Sequence, residues 1–230
     1  VIKNNSYTYT NETYDYDGDF TVRGDSEDAA VTVEEGIKRV VLDGTSFDTL
    51  NVRGSSVVTL VLTGESHIRA IHVEENASLI IEGDGSLFTD YLGNGQGASG
   101  NIEINSGNVH VGELGGGEGS KEVLIKDPPK VEVEDSHVPL RDGNGNLLYP
   151  LELVLGSPGT YTLRFNDAAQ TVVLEDDETC VRKLLAAGTY AIEVEREPFC
   201  FRGNVTIRDA QRIYLDDLTL YVDTSKGDIY

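Results

Sequence analysis

The chain has 230 residues with 40 acidic and 18 basic side chains, a net charge of −22, and 39% of it is hydrophobic. That balance excludes a nucleic-acid surface, which needs a basic stripe to displace counterions, and no run approaches the ~18 apolar residues of a membrane span. The apolar residues fall in periodic strands, which excludes a disordered chain, and the acidity favours cations as partners.

Residues 1–19 are polar and aromatic. The alternation Ser6-Tyr7-Thr8-Tyr9-Thr10 reads as a strand with one apolar face. This segment is expected to cap the strands that begin at Phe20 or to act as an arm that pairs elsewhere. The chain begins Val-Ile-Lys and contains no Met, which fits a mature secreted chain with its targeting segment removed.

From residue 20 to 136 an apolar pair recurs: Phe20/Val22, Val40/Leu42, Leu60/Leu62, Leu79/Ile81, Ile102/Ile104 and Val123/Ile125. A polar corner, usually glycine, closes each pair. A fixed period near 20 residues in a strand-forming composition predicts a β-solenoid, in which each coil buries its pair against the coils above and below. A second strand per coil is expected at Val31/Val33, Leu50/Val52, Ile71/Val73, Val109/Val111 and Val131/Val133. Two glycine-rich stretches, 92–100 and 112–119, lie one coil apart and read either as tight corners needing positive φ or as loops protruding on the same side, where a solenoid carries variable function.

Pro128-Pro129 interrupts the last coil, and Asp142-Gly143-Asn144-Gly145-Asn146 makes a turn. Short strands with turns every 8–12 residues come next, predicting a small β-sandwich over 137–200. Residues 201–230 return to the solenoid pattern, as a further coil or as final strands: Val205-Thr206-Ile207-Arg208-Asp209 matches Val31-Thr32-Val33-Glu34-Glu35. Cys180 and Cys200 are expected to form a disulfide, as an isolated pair in an extracellular protein commonly does.

Segments such as Val58-Thr59-Leu60-Val61-Leu62-Thr63-Gly64, and Ser78-Leu79-Ile80-Ile81-Glu82-Gly83-Asp84-Gly85 a coil later, resemble repeats of secreted right-handed β-helix surface proteins of clostridia and other gut bacteria. The resemblance covers about residues 20–155 and is one of repeat style. It implies a right-handed parallel β-helix, and some such proteins are described as binding acidic polysaccharide with calcium. No catalytic or sugar-binding motif of that family is carried over.

Two loops have spacing suited to a hard cation. Asp15, Asp17 and Asp19 place carboxylates at alternate positions around Gly18, and Asp142, Asn144 and Asn146 do the same with one carboxylate and two amides. Calcium takes oxygen ligands at such spacing, although the same residues form turns for conformational reasons. Arg69 with His67 and His72 is the cationic patch on the coils. Tyrosines gather at the ends: Tyr7, Tyr9, Tyr14 and Tyr16, then Tyr214, Tyr221 and Tyr230. Tyr buries much area at low entropy cost and suits interfaces.

The fold class is therefore all-β, a β-solenoid plus a small β-sandwich module. The expected function is a non-enzymatic, extracellular structural or adhesive protein of the cell surface, assembling head to tail with copies of itself through its terminal strands. The alternative is a calcium-dependent binding module for acidic polysaccharide. A polysaccharide lyase or hydrolase stays open as a third reading. Terminal tyrosine strands favour the first, an exposed aromatic row along one coil face the second, and a cleft with paired carboxylates and a cation the third.

Overall fold

The computed structural model describes residues 2–3, 6–9, 12–15, 19–95, 97–166, 168–175, 180–196 and 199–215; of residues 2–15 it describes the backbone alone. The chain divides into two compact units, Val1–Leu148 and Tyr149–Tyr230.

The first unit is a β-solenoid of about six turns with strands stacked in parallel. One sheet runs through Val57–Leu62, Ser78–Gly83, Asn101–Ile104, Val123–Ile125 and Leu140–Asp142. A second runs through Glu65–Val73, Ser86–Asn94, Asn108–Gly116 and Val131–Ser136. Strands Phe20–Glu35 and Ile37–Val52 are long enough to contribute to both. β-branched and aliphatic residues at every second position bury one side of each strand: Val58, Leu60 and Leu62 are fully buried, as are Leu79 and Ile81. In the second sheet the alternation slips. Ala70 and Ile71 are buried consecutively, as are Leu92 and Gly93, so each strand bends there and turns a corner.

The register corrects the sequence alignment at one point. Leu79 pairs with Val58 and Ile81 with Leu60, so the coil runs 21 residues from Leu60 to Ile81 and the apparent pair Leu60/Leu62 is displaced by two. Side chains repeat every two residues along a strand, so a shift of two leaves the buried face unchanged and sequence pattern alone does not detect it.

Among the described residues, the two glycine-rich stretches stack on each other. Gly93 pairs with Gly115 and Asn94 with Gly116, Gly117 N–H donates to the Gly97 carbonyl at 2.8 Å, and the Ser99 hydroxyl donates to the Gly115 carbonyl at 2.8 Å. A Cβ added at Gly93 would overlap the Gly115 carbonyl. These are corners where backbone stacks on backbone, which glycine alone permits. Pro128–Lys130 forms a single 3-10 turn between two coil strands.

Strand Leu147–Val154 contains the division between units. Leu147 and Leu148 pair antiparallel with Arg141 and Leu140, while Leu151–Val154 pairs in parallel with Gln211–Tyr214 of the second unit. That unit holds a four-stranded antiparallel sheet in the order Ala168–Leu174, Gly159–Phe165, Gly188–Arg196, Phe199–Ile207. Leu151, Leu153, Leu155 and Val181 share one core with Tyr161, Leu163, Ile192, Val194 and Ile207 of that sheet. The expected sandwich is not confirmed: what is described is one antiparallel sheet and a parallel strand pair around a common core.

The expected disulfide is absent: Cys180 and Cys200 are both free. Cys180 lies beside Glu152, which alternates with buried Leu151 and Leu153. The Cys200 Sγ lies 3.6 Å from Glu193, which alternates with buried Ile192 and Val194. Each thiol faces away from the core on a different layer, so the core separates them. The 20-residue spacing carried no geometric information, because the two cysteines do not lie on successive coils.

Candidate functional site

The solenoid's second sheet carries a stack of rings on its outward side. In register across three coils lie His67, Phe88 and His110. Neighbouring Ser66, Ile68, Leu87, Thr89, Val109 and Val111 are buried, so alternation turns the three rings outward. His67 and Phe88 have centroids 4.8 Å apart and planes within 10°, and Phe88 and His110 lie at 4.5 Å and 8°. This is the spacing of adjacent strands, so coil stacking itself sets the ring stacking. Both faces of Phe88 are occupied. Beyond His110 the next residue in register is Glu132, whose carboxylate lies 3.3 Å from the His110 Nδ1. At the other end the residue in register with His67 is Ser46.

Arg69 donates to both oxygens of Asp48, at 2.5 and 3.1 Å, and the Thr49 hydroxyl donates to Asp48 at 2.6 Å. These bonds hold the Asp48 carboxyl down to about 2, because hydrogen bonds to the ionised form favour it. The charge of Asp90 also acts on Arg69. His72 lies 5.6 Å from the Tyr91 ring. Burial, and then the charge of Arg69, push its pKa below the ordinary imidazole value, so His72 is neutral near pH 7. His137 comes directly after the last strand of this sheet, with Nε2 3.0 Å from Glu113. The chain's four histidines thus belong to one sheet or its end. A shallow recess of ≈ 320 Å³ runs beside the stack over three coils, from Ser46 and Asp48 past His67 and Arg69 to Phe88 and Asp90.

The sequence singled out His67, Arg69 and His72 but not Phe88, His110 or Asp48. The signal was present as ring residues at 67, 88 and 110, spaced by one coil and flanked by buried positions, but they share no chemical class.

The proposed cation ligands fall apart by location. Asp142 accepts bonds from the Asn144 and Asn146 amides at 2.9 and 2.8 Å and from the Asn146 side chain at 2.9 Å. Those bonds, the Asn146 side chain foremost, lower its pKa. Both carboxylate oxygens serve the turn, and a cation there would compete with them. Asp19 pairs with Arg39 at 2.8 Å. The Asp15 side chain and all of Asp17 lie outside the described residues. Among the described residues, Glu193, Glu195 and Cys200 bring three donor atoms within 4.8 Å of one another, but Arg202 and Arg164 already pair with both glutamates.

Of the tyrosines, Tyr7 and Tyr14 stand opposite each other in the hairpin of Ser6–Tyr9 with Glu12–Asp15, where Tyr9 faces Glu12. Their side chains lie outside the described residues, as do Tyr16, Tyr221 and Tyr230. Tyr214 is 47% exposed at the end of strand Gln211–Tyr214.

Among the described residues no helix is long and apolar enough to cross a membrane. No family model, no curated protein and no solved structure matches the chain.

Proposed function

We propose that this chain is a non-enzymatic, extracellular scaffold of a cell surface, adding copies of itself end to end at its first coil. The observation that carries the reading is the partial burial of that coil's first strand. Phe20, Val22 and Val31 are only half-buried, whereas their register partners Val40, Leu42 and Leu50 are fully buried. On the outer edge of strand Phe20–Glu35, described pairing is limited to Ile2 and Lys3 against Val33 and Glu35. Among the described residues, Thr21 and Val22 have a strand neighbour on one side only, at Val41 and Leu42. Half-buried apolar residues on a strand whose described pairing is one-sided suit strand addition by a second copy. Calcium enters this reading as a counterion offsetting the −22 charge that opposes association.

Negative-stain electron microscopy of the purified chain, with calcium and with chelator, tests it. Regular fibres that vanish in Phe20→Glu are the expected result. Single particles under both conditions would sink the assembly reading.

A second reading, glycan binding on the coils, is favoured by one observation: the outward ring row His67–Phe88–His110 beside Arg69. The form in which calcium bridges an acidic polysaccharide draws on the excess of carboxylates around that row. Binding to polygalacturonate that disappears with chelator is its test.

A further inference from the structure

We propose that the Ser46 end of the recess beside the ring stack is a subsite for one uncharged pyranose ring of a neutral glycan, seated on the open face of His67. This rests on the glycan-binding reading and narrows it to an uncharged ligand at a named place.

The stack supplies the first argument. Phe88 covers one face of His67. The other face looks toward the preceding coil, where the residue in register is Ser46. Serine leaves the place of a ring empty, and the His67 side chain is 54% exposed. One further ring at the strand spacing continues the row.

The walls decide which ring. Asp48, Arg69 and Ser46 border the recess at this end, and Asp90 borders it two coils further on. A purely aromatic occupant would strip water from these groups and give nothing back, leaving them unsatisfied. A pyranose offers an apolar C–H face to the imidazole and a rim of hydroxyls to the walls. Asp48, locked by Arg69 and Thr49 through three bonds, still has one of its roughly four acceptor sites for a sugar hydroxyl.

Charge decides between neutral and acidic sugars. The carboxylates of Asp48 and Asp90 face the recess, and Glu65 lies 3.2 Å from the His67 Nε2. Against them stands the permanent charge of Arg69, already paired. A uronate would meet a net negative wall, so the uncharged ring is the better fit.

The test is an NMR titration of the histidine imidazole resonances with cellohexaose, xylohexaose and mannohexaose, run beside polygalacturonate with calcium. The expected result is that one or more neutral hexasaccharides shift the His67 resonances and leave those of His137 in place. Ser46→Phe fills the ring position from within and should weaken that binding about ten-fold or more, a change of at least one decade in Kd. His67→Ala should do the same and serves if Ser46→Phe does not fold. The proposal is overturned if no neutral hexasaccharide moves His67, or if both variants bind as the parent does. Calcium-dependent binding of polygalacturonate with silent His67 resonances would overturn the subsite and leave the acidic-glycan reading standing; silence toward every saccharide would remove both.

Discussion

Two neighbouring places on the same coils hold successive layers together by opposite means. At His67, Phe88 and His110 the layers meet through side chains, with rings stacked at 4.8 and 4.5 Å on the outside. At the glycine corner they meet through backbone: Gly93 lies against Gly115, and Ser99 is buried with its hydroxyl on the Gly115 carbonyl. Rings on an outer face have solvent beside them and yield to change. Backbone on backbone has no slack, because interiors are packed to crystal density and a carbonyl has no rotamer in which to retreat.

That contrast gives an ordered set of expectations. Gly93→Ala adds a single methyl at the backbone contact and should cost about 3 kcal/mol, at the upper end for overpacking; a loss under about 1 kcal/mol in urea denaturation would show that the corner can open. Phe88→Ala removes the central ring and both its stacking contacts, with His67 and His110. About 2 kcal/mol is expected from the half-buried area and two ring pairs, and loss of the ring-current shifts on His67 and His110 provides the independent readout. Ser46→Phe adds a whole ring on the outer face, yet should change stability by less than about 1 kcal/mol in either direction, the scale of cross-strand pairs. If it proves as damaging as Gly93→Ala, the distinction between the two places fails.

The smallest effect concerns pH. The Asp48 carboxyl is depressed from 3.8 to about 2 by its bonds to Arg69 and Thr49. A carboxyl with a lowered folded-state pKa contributes stability that is complete above its unfolded value and is lost as pH falls through the folded one. The melting-temperature difference between the parent and Asp48→Asn should therefore be constant from about pH 6 down to about pH 4 and shrink toward pH 2. Arg69 is exposed and Asp48 only half-buried, so the difference is expected to be slight and to weaken in salt. A difference that grows on acidification would contradict the assigned bonds.

The solenoid was legible in the sequence because buried positions alternate and recur, and that pattern survives an alignment error of two at Leu60/Leu62. The ring stack was not legible by type. Histidine and phenylalanine at 67, 88 and 110 belong to different classes, and only the coil spacing joins them. The glycine stretches were legible as corners but not as partners, since pairing between 93 and 115 depends on the 22-residue register of that coil pair. The cysteines misled for a related reason. Their spacing imitates a coil, but the strands carrying them belong to the second unit, where chain order and spatial order diverge. Asp142 read equally as ligand or turn, and the three bonds it accepts from its own loop are invisible in composition.

Parallel stacking also has a mechanical side. Each coil is hydrogen-bonded to the coils before and after it and to little else, so tension across the solenoid's ends loads one interface at a time. Peeling the coil from Leu60 to Ile81 frees 21 residues, roughly 70 Å of extended chain. The remaining coils keep their register while this happens. Under a steady pull the unit lengthens in regular steps, each ending at the next intact layer, and the glycine corner between residues 93 and 115 is the layer expected to hold longest because there backbone lies directly on backbone.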